Sequence, residues 1–233
     1  MRRRHDEEYT VIEPSYSMSY TIDPYGTTHK TPRRPFFSLT ELKNIAIAVS
    51  VLIIALTLVL SKMLDMDIPS TIALAVLAVF LGFFSHEMAH KVLARKYGCW
   101  SEFRANMRGL GLALLMSFFG FLFAAPGAVY IVGHITREQN GKISVVGPFS
   151  NLIIAAACLP FLEILALGVP EVVERMALVL LFFNAFLAAF NMVPIPPLDG
   201  SKVWAWSKPI YVVAMATCAL MFVIALIAWG AAT

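Results

Sequence analysis

Charge is scarce in this chain. Asp, Glu, Lys and Arg make up 14% of its 233 residues, whereas 59% are hydrophobic and the mean hydropathy is +0.74. Soluble domains carry about a quarter charged residues, so that class is excluded and a polytopic membrane protein is implied. A net charge of +3 gives no footprint for nucleic acid. Cysteine is sparse too: Cys99, Cys158 and Cys218 lie far apart with no CxxC spacing, which argues against a disulfide framework and a thiolate metal site. All three read as ordinary buried residues. Residues 1–40 lack any helical or alternating apolar pattern, and no short apolar region with a cleavage site follows Arg2, Arg3 and Arg4. A flexible cytosolic tail is expected there rather than a signal peptide.

What the chain does have is long apolar runs. Segments of roughly 20 residues, enough to cross about 30 Å of hydrocarbon, fall at about 44–64, 70–90, 149–168, 176–195 and 209–230. A further run at 110–126 is shorter and is interrupted by Gly120 and Pro126. Between it and Gly147 the sequence reads as two β-prone runs joined at an Asn140-Gly141 turn, which is hairpin chemistry. Arg2, Arg3, Arg4, Lys30, Arg33, Arg34 and Lys43 all precede the first run, so the positive-inside rule keeps the amino terminus cytosolic. The second run then returns inward and ends in Lys91, Arg95 and Lys96.

Near that inner end the sequence HEMAH places His86, Glu87 and His90 beside apolar neighbours. Residues four apart in a helix are separated by about 40° around the axis and about 6 Å along it, so both imidazoles face one ion. Glu87, between them, can reach a metal-bound water as general base without taking a metal position. Ionisable groups at membrane depth point to function by default. The bland alternative is that these residues have reached the interface at a helix end, with Lys91 marking the boundary.

A catalytic zinc keeps three protein ligands and one open position. Among the remaining acidic residues only Asp199 sits in unusual backbone chemistry, where NMVPIPPLDG packs Pro194, Pro196, Pro197 and Gly200 around one carboxylate. Asp199 capping an interfacial turn is the competing reading. Coordination requires Asp199 to share depth and side with the histidines. That parity holds if 101–146 enters and returns on the cytosolic side, and Arg104, Arg108, Arg137, Lys142, Lys202 and Lys208 then all fall inside. The expected fold is an α-helical polytopic membrane protein. It has about five to six transmembrane helices and a re-entrant or β-containing membrane-associated element between the HExxH helix and the next span.

HEMAH at 86–90, GPFSN at 147–151 and NMVPIPPLDG at 191–200, in that order within apolar segments, resemble the core of the site-2 protease family of intramembrane zinc metalloproteases. The resemblance covers about residues 44–205 and is closest to compact prokaryotic, archaeal-type members, since neither a PDZ insertion nor CBS domains are found. It implies a metalloprotease domain over 41–233 with its core at about 70–205, in the cell membrane with the active-site face cytosolic. It implies one Zn2+ per chain on His86, His90 and Asp199, with Glu87 activating water. It further implies that Asn151 lies near the active site, positioning substrate or stabilising the oxyanion, although a helix-start residue after Gly147-Pro148 is the plainer reading. A strand that holds unwound substrate is implied as well, and the runs around 127–146 are the candidates. His134 could ligate metal in a resting form, but a surface or packing role is the simpler one.

The implied partners are a transmembrane protein substrate and the lipid bilayer. A non-catalytic zinc-binding membrane protein or metal transporter is the rival reading, yet it has no need of Glu87 and calls for ligands spaced along a pathway or an inverted repeat. An inactive scaffold of the same fold usually loses a ligand or the base, and all four residues are present here.

Overall fold

The computed structural model describes residues 35–122, 125–164 and 171–232. The tail expected at 1–40 lies mostly outside them. Helix α1, Leu39–Met63, starts where Ser38 Oγ accepts the Glu41 N–H at 3.0 Å. Helix α2, Ile68–Val79, is capped by Asp67, which accepts from Ser70, and has Pro69 in its first turn. A π-helical turn at Phe80–Phe84 joins α2 to α3, Ser85–Lys96, so that Ile68–Lys96 is one continuous rod of 29 residues carrying HEMAH near its end.

Strand β1, Trp100–Ala105, and strand β2, Gly127–Val132, form a two-stranded antiparallel sheet in register from Trp100↔Val132 to Ala105↔Gly127. Between them lies helix α4, Met107–Ser117. At about 16 Å it is too short to cross roughly 30 Å of hydrocarbon. The excursion leaves and re-enters at one point, because the Asn106 N–H donates to the Pro126 carbonyl at 2.9 Å. It lies along α1: Asn44 Oδ1 accepts from the Ala105 N–H at 3.0 Å near one end, and Lys62 donates to the Phe118 carbonyl at the other.

The sheet corrects the expected hairpin. β2 pairs with the earlier strand β1, and the second β-prone run is instead the start of helix α5, Arg137–Ile164. The helix therefore begins twelve residues before the span expected at 149. Two local causes overrule the Asn140-Gly141 turn signal. Thr136 and Gln139 form a reciprocal cap, with Thr136 Oγ1 accepting from the Gln139 N–H at 3.1 Å and Gln139 Oε1 from the Thr136 N–H at 2.9 Å. Gly141 is a contact point: a Cβ there would lie 2.4 Å from the Trp206 ring, so the residue is small for helix packing.

Helix α6, Glu171–Asn191, ends short of the expected 195 because the prolines that follow cannot continue it. Helices α7, Asp199–Trp206, and α8, Lys208–Ala232, complete the chain. Leu52, Leu56, Ala78, Phe83, Phe103 and Leu181 form the centre of one apolar core shared by α1, α2, the π turn, β1 and α6. Five helices, Leu39–Met63, Ile68–Lys96, Arg137–Phe161, Val172–Asn191 and Lys208–Ala231, are long and apolar enough to cross a membrane.

A buried ion pair fixes the second half of α3. Lys91 Nζ lies 2.6 and 2.7 Å from the Glu41 carboxylate oxygens and donates to the Ser101 carbonyl at 2.8 Å, while Glu41 Oε1 also accepts the Phe103 N–H at 3.0 Å. Lys91 is 0% exposed and Glu41 1%. Lys91 is thus no surface charge of a cytosolic flank; it ties α1, α3 and β1 together immediately after HEMAH.

Candidate metal centre

Three elements converge on one point. His86 and His90 project from one face of α3, and Asp199 comes from the first turn of α7, reached through the proline-rich turn that ends α6. His90 Nε2 lies 3.0 Å from His86 Nε2 and 3.0 Å from Asp199 Oδ2, and His86 Nε2 lies 3.3 Å from the same oxygen. Among the described residues these three form the group able to hold a metal, and all three are buried. Asp199 and the two histidines thus share one position in the fold, as joint coordination requires. His134, exposed in the turn after β2, is not part of the group.

The surrounding hydrogen bonds set the protonation of both imidazoles. His90 Nδ1 faces the Ile143 carbonyl at 2.6 Å, an acceptor, so Nδ1 carries a proton and Nε2 is the atom turned to the site. His86 Nδ1 faces Asn151 Oδ1 at 2.6 Å. The Asn151 amide can only be turned that way, because its Nδ2 donates to the Gly82 carbonyl at 3.1 Å and to Asn184 Oδ1 at 2.9 Å. Asn184 in turn is oriented by donating from Nδ2 to the Leu180 carbonyl at 2.9 Å. The Gly82 carbonyl sits in the π turn, where it also accepts from Ser85 Oγ at 3.2 Å.

The two Nε2 atoms and Asp199 Oδ2 thus face one point, and neutral imidazoles offer two lone pairs there. The group can hold a cation, since its edges of 3.0–3.3 Å match the roughly 3.3 Å separation of tetrahedral ligands with bonds of about 2.0–2.1 Å. Gly147 leaves the room: a Cβ there would lie 2.4 Å from His90 Nε2 and 2.7 Å from His86 Nε2. Glu87 is buried beside the ligands, and its Oε2 has no hydrogen-bond partner among the described residues. The residues present fit a zinc ion and a water.

A protein of Methanocaldococcus jannaschii named "Putative zinc metalloprotease" is 43% identical over 142 residues, 60% of this chain and 73% of that protein. The chain belongs to that zinc metalloprotease family. A second protein of the same organism, named zinc metalloprotease, is 25% identical over 134 residues, 56% of this chain and 33% of its own length. No family model and no solved structure matches the chain.

The metalloprotease site opens into a cavity of about 120 Å³ whose walls include Leu52, Phe83, Pro126, Gly127, Phe186 and Lys202. Asn151 is not on that wall. It is fully buried behind His86, with both amide hydrogens engaged. Sequence reasoning did not find Asn184, the π turn or Lys202. Asn184 did leave a signal, an amide in the middle of the apolar run LLFFNAFLAAF.

Proposed function

We propose that the chain is an intramembrane zinc metalloendopeptidase of the site-2 type that hydrolyses peptide bonds in or near transmembrane segments of other membrane proteins. One observation carries the reading: His86, His90 and Asp199 bring three metal-ligand atoms together beside a buried carboxylate oxygen without a partner. His86, His90 and Asp199 would hold one zinc ion. When bound, zinc supplies a Lewis acid that lowers the pKa of water towards neutrality and polarises a carbonyl.

The chain's own residues supply the proton handling. Glu87 takes the proton of the attacking water and returns it to the amine nitrogen as the peptide C–N bond breaks. Asn151, Asn184 and the Ile143 carbonyl keep the two Nε2 atoms aimed at the metal position. The apolar cavity walls limit bulk water, which strengthens these interactions.

Substrate is assigned to the outer edge of β2, where the Val129 backbone faces Glu87. Ser101, Phe103 and Ala105 of β1 turn backbone groups towards Lys91, Glu41 and Asn44. Their register partners Ile131, Val129 and Gly127 therefore point theirs away from the sheet, and Gly127 lines the cavity. An unwound segment could pair there as an added strand.

Membrane residence is supported by the five long apolar helices and by outward apolar side chains such as Ile54, Val213 and Ile227. The basic flanks favour a cytosolic amino terminus and active-site face in the cell membrane. The metalloprotease domain is taken as 41–233 with its core at about 70–205, preceded by a cytosolic tail over 1–40. The test is cleavage of a fluorescent transmembrane peptide by the protein in liposomes. Chelation should abolish cleavage and added zinc restore it; cleavage untouched by exhaustive chelation would refute the reading.

A further inference from the structure

We propose that Lys202 is a catalytic residue whose ammonium stabilises the oxyanion formed on the substrate carbonyl. The inference rests on the metalloprotease reading. As the water oxygen bonds to the carbonyl carbon, its proton passes to Glu87 and the π pair of the carbonyl settles on its oxygen. Collapse restores the carbonyl, breaks the C–N bond, and returns the proton from Glu87 to the leaving nitrogen. Between these events a full negative charge faces the cavity wall, and a preorganised donor there is worth far more than one in water.

The wall offers few donors. Both histidines turn Nδ1 away from the cavity, towards Ile143 and Asn151. The Asn151 amide has both hydrogens committed behind His86. Asn191 lines the cavity and donates one Nδ2 hydrogen to the Leu187 carbonyl at 3.0 Å, which leaves it a single neutral N–H. The charged donor on the wall besides the histidines is Lys202, one turn after Asp199 on α7, and a charged donor stabilises an oxyanion more than a neutral amide does.

Its Nζ lies 3.2 Å from Asp199 Oδ1, the oxygen turned away from the two imidazoles, so the contact leaves Oδ2 to the metal position. An ammonium carries three protons, and one contact to Asp199 leaves two for an incoming carbonyl oxygen. The Lys202 side chain is 41% exposed, and its contact with Asp199 Oδ1 holds the ammonium at the cavity wall. Its field also reaches Glu87.

The test compares Lys202→Met and Lys202→Arg with wild type. The readouts are zinc per chain, kcat and KM on a fluorescent transmembrane peptide, and affinity for two probes. One probe is a phosphinic Leu–Leu peptide, anionic and tetrahedral; the other is its uncharged hydroxyethylene counterpart. In Lys202→Met, zinc content should hold, kcat should fall on the order of 10²–10³-fold with KM nearly unchanged, and phosphinate affinity should fall by a similar factor. Hydroxyethylene affinity should stay within about threefold of wild type, and Lys202→Arg should recover at least about a tenth of the loss. Unchanged kcat and phosphinate affinity in Lys202→Met would overturn the proposal. So would a loss of zinc matching the loss of activity, since Lys202 would then only hold Asp199. Full turnover by Glu87→Gln would instead overturn the metalloprotease mechanism itself, and the probe comparison reads Lys202 without any turnover.

Discussion

Gly147→Ala should empty the metal site while leaving the fold standing. The added Cβ lies 2.4 Å from His90 Nε2, 2.5 Å from His90 Cε1 and 2.7 Å from His86 Nε2. Non-bonded heavy atoms settle at about 3.5 Å, so the imidazoles must retreat by about 1 Å. Zinc ligand distances tolerate only about 0.2 Å, and a misplacement of about 1 Å commonly costs about 10²-fold in rate. Zinc affinity and turnover should therefore each drop by about 10²-fold or more. Stability should change little. Alanine in a helix gains about 0.5–1 kcal/mol over glycine, and overpacking costs about 1–3 kcal/mol, leaving a net loss of no more than about 2.5 kcal/mol. Elemental analysis of the purified variant gives zinc per chain, and circular dichroism with size-exclusion profiles reports the fold. A folded Gly147→Ala protein with wild-type zinc affinity would refute the placement of the metal between the two Nε2 atoms.

Asp199→Ala should lower zinc content and activity together, because one of three ligands is lost; full zinc occupancy in that variant would mean another group serves as third ligand. Lys91→Met should destabilise the protein by about 3–5 kcal/mol by leaving the Glu41 carboxylate buried and unpaired. Glu41→Met combined with it should recover much of that loss, and a thermal-shift series in detergent checks both. In a background lacking Cys99, Cys158 and Cys218, single cysteines at Gln139 and Lys202 should react with an impermeant reagent from the cytosolic side only, and one at Glu171 from outside only. Labelling of position 139 from outside would reverse the proposed orientation.

Those parts of the molecule governed by local periodicity were legible in the sequence. The four-residue spacing of His86 and His90 needs only helical geometry, and the prolines around Asp199 announce a broken helix whatever it packs against. The five long helices follow from apolar length alone. What the sequence concealed depends on contacts between distant segments. Asn140-Gly141 looks like a turn until Trp206, sixty-five residues on, is seen to occupy the space beside Gly141. β1 carries Glu102 and Arg104 and shows no clean apolar alternation, so its pairing with β2 emerges only when the intervening excursion folds back. The π turn at Phe80–Phe84 has no composition signal, yet it presents the Gly82 carbonyl that sets the Asn151 amide and hence the His86 tautomer. Asn151 was noticed, but the side of His86 on which it sits was not readable from the chain.

The central claim is that His86, His90 and Asp199 hold zinc while Glu87 moves the proton. The most direct measurement is zinc stoichiometry and turnover on one preparation of Glu87→Gln, assayed with a fluorescent transmembrane peptide beside wild type. Glutamine keeps the size and polarity of the side chain but cannot accept the water's proton. The account predicts zinc at the wild-type level with turnover reduced by about 10²–10⁴-fold. Turnover near wild type in a zinc-loaded Glu87→Gln protein would contradict it.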